Sequence, residues 1–244
     1  MSNARYAYKK TTKQLTSWSY SRYRDYKRCP LFAKLKHLDK VPEGEESEAM
    51  RRGSAIGAMA EDYVKGVLKR LPPELRLFRT QFADMRKQNM VNVWAEESWC
   101  FDHNWHPVEW NDWNNVWLRV KMDLCRLYPK DKLLVPIDHK TGKYRENELG
   151  SYLEQLDIYA LGGFLKFPDV QTISPRLWFL DEGVEYPQIN GEELVYDRSE
   201  LPALKKKWLA NTKAMFADKS FKPKPNDKCR WCAYSCAKGG SCKF

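Results

Sequence analysis

The side chains best suited to chemistry fall between positions 123 and 159. Asp138 and Lys140 stand two apart on an apolar run, Leu133 to Lys140, that reads as a strand, so both leave one face while His139 leaves the other. An ionisable pair at the end of an apolar strand is unfavourable unless it is satisfied. The preceding run alternates Val116, Leu118, Val120 and Met122 with Trp117, Arg119, Lys121 and Asp123, ending on a carboxylate that points the same way as Lys121 and Arg119. Two Asp from adjacent strand ends can converge on one divalent cation. Oxygen ligands completed by waters and a phosphate suit Mg2+ or Mn2+, and Lys140 would then stand beside the bound water. Taken alone, Asp138 and Lys140 would serve equally well as a surface salt bridge.

Sulfur supplies the second candidate centre. Cys229, Cys232, Cys236 and Cys242 crowd into 14 residues, after Lys222-Pro223-Lys224-Pro225 and around Gly239-Gly240. That density points to metal ligation rather than a disulfide framework, and read locally it is a zinc knuckle of four cysteines needing nothing else. Cys100 and Cys125 stand alone on strands and read as core.

The elements that must carry these groups follow from pattern. Ser17 and Ser19 offer caps to a helix whose Tyr20, Tyr23 and Tyr26 share a face and which runs to about Arg28. Cys29-Pro30 interrupts it, and a second helix carries Leu31, Phe32, Leu35 and Leu38. Glu43 to Glu48 reads as a loop, and a long helix is expected over 47–71, closed by Pro72-Pro73. Three strands follow, around Val91–Phe101, Val116–Asp123 and Leu133–Lys140, then a helix over 151–165, a strand over 176–180 and a basic helix over 201–216. Pro136 is awkward inside a central strand and calls for a bulge or a locally unpaired position. The order suits a single α/β domain spanning 1–244: a helical segment over 1–45 with Cys29, a core over 47–180, and a basic helix with Cys-rich tail over 201–244.

Asp123, then Asp138-His139-Lys140-Thr141-Gly142, then Gln155 and Tyr159 four apart on one helix face together resemble the core of the PD-(D/E)xK nuclease superfamily, particularly its RecB-like branch. Ser17 to Pro30 looks like that branch's S-x-S-x-(x)-Y-x-x-C-P opening, and Arg52-Gly53-Ser54-Ala55-Ile56 looks like its R-G-x-x-x-H helix start. The likeness covers nearly the whole chain. It implies a restriction-endonuclease-like α/β fold with a mixed central sheet flanked by helices, the N-terminal and Cys-rich C-terminal segments closing on each other. It also implies catalytic roles for Asp123, Asp138, Lys140, Gln155 and Tyr159, with Asp123 and Asp138 holding Mg2+ or Mn2+. One position departs from the pattern: Gly57 stands where the branch has His. Glu61, one turn further on the same face, is the expected substitute ligand, acting directly or through water, as related viral recombination exonucleases place a Glu on this helix; it would otherwise be a solvated carboxylate beside Asp62. Iron–sulfur nucleases of the branch use one Cys near the N-terminus and three near the C-terminus. The resemblance therefore implies a 4Fe-4S cluster on Cys29, Cys229, Cys232 and Cys242, with Cys242 preferred to Cys236 because Gly239-Gly240-Ser241-Cys242-Lys243-Phe244 is similar to the ending of small phage-type relatives. The rival is Zn2+ on Cys229, Cys232, Cys236 and Cys242. Trp231 and Tyr234 would shield such a cluster or stack on bases.

Charge agrees with a polyanionic partner. Of the +10 net charge of the 244 residues, positions 1–40 and 201–244 each hold 11 basic and 2 acidic side chains, so the ends carry +18 and the middle −8. Each single lysine run would also serve as a solvated helix face. The expectation is a metal-dependent deoxyribonuclease of phage or CRISPR-adaptation type, an exonuclease on DNA ends or single strands, working alone or with a helicase or strand-annealing protein. The alternatives are a catalytically silent DNA-binding subunit, motivated by Gly57, and a structure-specific endonuclease. Without an apolar stretch behind the basic N-terminus or any long apolar run, no signal or membrane span is expected, and the location expected is a bacterial or phage-infected host cytoplasm.

Overall fold

The computed structural model describes residues 14–88, 91–189 and 192–244; four basic residues of the N-terminal stretch, within 1–13, lie outside them. The chain makes two compact units, one of residues 46–207 and one joining the residues up to Glu45 with Trp208–Phe244.

In the smaller unit, helix α1 (Tyr20–Arg28) begins where the Ser19 hydroxyl accepts from the Arg22 N–H at 3.3 Å. It ends at Cys29, whose extended backbone is what the following proline demands. Helix α2 (Pro30–Ala33) runs on into a wider π turn over Lys34–Leu38. Aromatic stacking joins the two chain segments: Trp18 stacks on Trp208 at 5.4 Å between centroids, Tyr23 meets Trp208 edge-on at 5.1 Å, and Phe32 packs on Tyr234 at 5.3 Å.

The larger unit opens with α3 (Glu48–Val64), capped by Ser47, and α4 (Arg79–Lys87). The expected long helix to residue 71 stops at Val64, because Gly66 turns the chain with a φ of 81°; α4 was not foreseen. Strands β1 (Val93–Phe101), β2 (Pro107–Val108), β3 (Leu118–Tyr128) and β4 (Leu133–Lys140) lead to helix α5 (Leu149–Lys166). Six short strands follow: β5 (Thr172–Ile173), β6 (Arg176–Phe179), β7 (Val184–Tyr186), β8 (Gln188–Ile189), β9 (Glu192–Glu193) and β10 (Tyr196–Asp197). Helix α6 (Leu201–Ala217) runs from this unit into the smaller one. The main sheet has the order β10-β5-β4-β3-β1-β2, with β6 also on β4 and β7 on β6; β4 runs parallel to β5 and β6 and antiparallel to β3. This is the mixed sheet flanked by helices that the restriction-endonuclease-like fold requires. Pro136 is tolerated because β5 pairs with β4 only at 133–134 and β6 only from 137 onward, leaving Pro136 in the gap.

Helices α3 and α4 cover one face, where Ile56, Tyr63, Phe78 and Phe82 share a core with Val93, Ala95, Leu124 and Ile137. Helix α5 covers the other: a Cβ on Gly162 would lie 3.0 Å from Val120 and 3.3 Å from Trp99. Val93, Ala95 and Trp99 have one parity, as do Val120 and Leu124, yet in each strand they face opposite ways. Strict alternation would hold each set on one face. The reversal falls where β1 passes Glu96, in left-handed backbone with φ 59°, and β3 passes Asp123, the step left unpaired between Ala95–Leu124 and Glu97–Met122.

Candidate active site

That reversal is where Asp123 sits. It lies within β3, which continues to Tyr128, not at the strand's end as expected. Its Oδ2 accepts the His139 backbone N–H at 2.5 Å, tying it to β4. Burial first, and then the charge of Asp138, push its carboxyl up to about 7.

Asp138 and Lys140 share a face, as β4 alternation requires, and meet the inner side of α5. Gln155 Nε2 donates to Asp138 Oδ1 at 3.0 Å, Tyr159 Oη donates to the same oxygen at 2.6 Å, and Gln155 Oε1 accepts from Lys140 Nζ at 2.9 Å. Gln155 Nε2 also lies 2.6 Å from Tyr159 Oη. The amide thus orients both members of the Asp138–Lys140 pair, whose own separation is 2.6 Å. Burial is the main cause that holds the Tyr159 phenol well above its ordinary range, so it stays a donor at neutral pH. His139 takes the opposite face, between Phe82 and Trp178, where burial lowers it to about 4 and keeps it neutral.

Asp138 Oδ1 takes two donors, whereas the buried Oδ2 makes no hydrogen bond and is ion-paired with Lys140 Nζ at 2.6 Å. A buried carboxylate oxygen that is ion-paired but not hydrogen-bonded suits a cation, a place Lys140 now fills. Among the described residues no three His, Cys, Asp or Glu side chains converge on a single ion, so the protein supplies no closed cage here. Mg2+ is commonly held by one or two carboxylates with waters and phosphate oxygens completing the shell, and Asp123 and Asp138 fit that pattern.

Glu61 lines the same cavity as Asp123, together with Gly57, Glu96, Lys121 and Thr141. Its carboxylate pairs with Lys65 and makes no hydrogen bond to the Asp138 network. A Cβ added at Gly57 would meet nothing within 4 Å, so the cavity has room for a larger side chain there. Glu96, missed in the sequence, places a further carboxylate in this cavity, paired with Lys121 at 2.5 Å; only its left-handed backbone brings it there, and no spacing rule announces that. Asp181 was also missed. It takes both Arg52 guanidinium nitrogens at 2.9 and 2.6 Å and the Gly142 N–H at 2.7 Å, bracing the turn after Lys140 against α3. The Arg52 guanidinium holds its carboxyl below the ordinary range. Gly53 completes that contact, since a Cβ would lie 3.1 Å from Thr141 Oγ1.

In the smaller unit, one pocket is lined by Cys29, Cys229, Cys232 and Cys242 together with Phe32, Tyr234 and Phe244. Two sulfurs there accept backbone N–H groups, Cys29 from Lys224 at 3.4 Å and Cys229 from Asn226 at 3.3 Å. Cys236 is exposed, outside that pocket, with its thiol toward the Lys243 carbonyl. Gly240 is required because a Cβ would come within 2.3 Å of the Tyr234 backbone. Tyr234 is buried, while Trp231 is 60% exposed beneath the Arg230 guanidinium and does not line the pocket, so only the tyrosine shields it. Cys100 and Cys125 are core, as expected.

No helix among the described residues is long and apolar enough to cross a membrane. A search among curated proteins gave no match. Among solved structures, a candidate exonuclease from Eubacterium rectale is similar at a TM-score of 0.50 and 14% identity, over 88% of each chain. The protein SSO0001 is similar at a TM-score of 0.39 and 16% identity, over 91% of this chain and 84% of that one. A model of the PD-(D/E)XK nuclease superfamily, whose members usually use Mg2+ or Mn2+, matches residues 17–237. That span holds every carboxylate, amide and phenol of the site described above, and the chain belongs to the PD-(D/E)XK nuclease superfamily.

Proposed function

We propose that this nuclease is a RecB-like deoxyribonuclease acting as an exonuclease on DNA ends or single strands. The observation that carries the reading is the grip of Gln155 and Tyr159 on Asp138 and Lys140, which leaves the second, buried oxygen of Asp138 to the Lys140 ammonium alone. Asp123 and Asp138 would hold Mg2+ or Mn2+, with Glu61 contributing directly or through water. Bound there, the cation would lower the pKa of a water and offset charge on the phosphate. Lys140 Nζ, steadied by Gln155 Oε1, is the group to orient that water and to offset charge developing on the phosphoryl oxygens. Tyr159 Oη keeps its proton and with it the orientation of Asp138. None of these groups reads a base, so cleavage should be weakly sequence-specific and binding salt-sensitive.

For the sulfurs we infer a 4Fe-4S cluster on Cys29, Cys229, Cys232 and Cys242 rather than a zinc knuckle: these four line one pocket, without converging on a single ion, and Cys236, which the knuckle needs, is exposed outside it. N–H groups aimed at Cys29 and Cys229 suit cluster thiolates, whose potential such hydrogen bonds tune. The phage or CRISPR-adaptation type, and a helicase or strand-annealing partner, belong to the same reading.

Digestion of linear against circular single-stranded DNA with Mn2+ tests it. Loss of the linear form alone is expected. Cutting of the circle would favour the endonuclease, and survival of both would favour a silent binding subunit.

A further inference from the structure

Along β3, Arg119 and Lys121 precede Asp123, and Lys121 lines the same cavity as Asp123. All three are less buried than the Leu118, Val120 and Met122 set between them. At the rise of an extended strand, Arg119 lies about 13 Å from Asp123, the length of about four stacked nucleotides. At the Arg119 end the segment between β2 and β3 presents two tryptophans to solvent, Trp110 at 38% and Trp113 at 69% exposure. The Arg119 guanidinium lies over both rings, 4.4 Å from the centroid of Trp110 and 4.6 Å from that of Trp113. The segment is built rather than loose: Asp112 accepts the Val116 N–H at 2.9 Å through its carbonyl and the Asn115 amide at 2.8 Å through its carboxylate.

Trp113 keeps most of its surface in solvent and Trp110 more than a third, with a cation clipped to both, an arrangement that suits a ligand that is itself flat and anionic. We infer that Trp110, Trp113 and Arg119 form a stacking platform for the unpaired bases of a single DNA strand whose backbone then passes Lys121 to reach Asp123. Stacking is open to any base but only when unpaired, since a duplex hides its base faces against one another. Direction along β3 rests on the nuclease reading above; the stacking itself does not.

Anisotropy of a labelled oligothymidylate, measured in EDTA so that nothing is hydrolysed, tests the platform on the full chain. Replacing both Trp110 and Trp113 with Ala should weaken binding roughly ten- to a hundredfold. Trp113→Phe should keep binding within about threefold of the parent, since a ring remains. An oligonucleotide with abasic residues should bind the parent as weakly as the intact strand binds the double variant, and should show little further loss on the variant. Should the double variant fail to fold, judged by its melting curve, Trp113→Ala alone carries the test, as its ring is mostly in solvent. Unchanged affinity, or an equal loss with the abasic strand or with blunt duplex, would overturn the platform. A parent that binds in this Trp-dependent way yet cleaves no DNA would sink the nuclease reading and leave the platform standing.

Discussion

The carboxylate site and the cysteine pocket are built on opposite plans. Asp123, Asp138, Lys140, Gln155 and Tyr159 come from one continuous stretch, set by adjacent strands and the helix that follows them, over a core in which Trp99, Trp178 and Phe164 are fully buried. Such a site is held by secondary structure and needs no ligand to keep its shape. The cysteine pocket joins Cys29 to Cys229, 200 positions apart, and beneath it the packed core is Phe32, Leu35 and Tyr234 with a few partly buried neighbours. Residues 218–244 have only short helical turns. So little buried apolar surface orders a tail weakly, and ligation would supply the missing folding free energy. One region should therefore fail in rate when altered, and the other in stability.

The largest effect is expected at the carboxylate site. Asp138→Ala or Lys140→Ala should slow Mn2+-dependent digestion of linear single strands about 10³-fold while melting and salt-dependent DNA binding stay near the parent. Cys29→Ser should do the reverse, bleaching an anaerobically purified brown protein and lowering its Tm by roughly 5–10 °C. Cys236→Ser should leave colour and Tm nearly intact. Colourless protein with stoichiometric zinc, indifferent to Cys29→Ser, would overturn the cluster and erase the contrast between the regions.

Smaller changes sharpen it. Gln155→Leu removes the amide's bonds to both Asp138 and Lys140 and should reduce kcat about a hundredfold, whereas Tyr159→Phe leaves those bonds in place and should reduce it about tenfold. Equal effects of the two would mean that the amide orients nothing. Glu61→Gln should weaken catalysis less than Asp123→Asn, and Gly57→His should preserve or raise Mn2+-supported rates in the space open at that position. A Glu61→Gln variant that is silent at every metal concentration would make Glu61 a surface carboxylate.

The smallest effect is one of stability. Because the Asp123 carboxyl is raised in the folded state, its proton is held more tightly there than in the unfolded chain. Its contribution is therefore fully present below the unfolded value near 4 and is lost as pH rises through about 7. In EDTA, Asp123→Asn should raise Tm by a few degrees at pH 8, with the gain shrinking steadily toward pH 4. A gain that is constant with pH would assign the change to packing.

Much of the site was legible beforehand for a physical reason. Asp138 and Lys140 lie two apart on a strand and Gln155 and Tyr159 four apart on a helix, and local periodicity converts those spacings into shared faces without help from the rest of the chain. The three long strands, helices α1 and α5, and the buried Cys100 and Cys125 follow from the same short-range rules. Helix α3 stopped early because Gly66 took a left-handed conformation, and α4 was hidden in a mixed polar run.

What periodicity could not supply depends on contacts between distant segments. Glu96 reaches the cavity only through a backbone conformation that its own sequence disfavours. Asp181 matters because β6 ends beside the Gly142 turn and α3. The placing of Cys242 in the pocket, with Cys236 outside it, turns on Gly240 lying against Tyr234. Residue types and spacing determined by themselves which groups could do chemistry. Tertiary structure alone decided which of them meet, because a contact across many residues is fixed by the packing of whole elements and leaves no period in the chain.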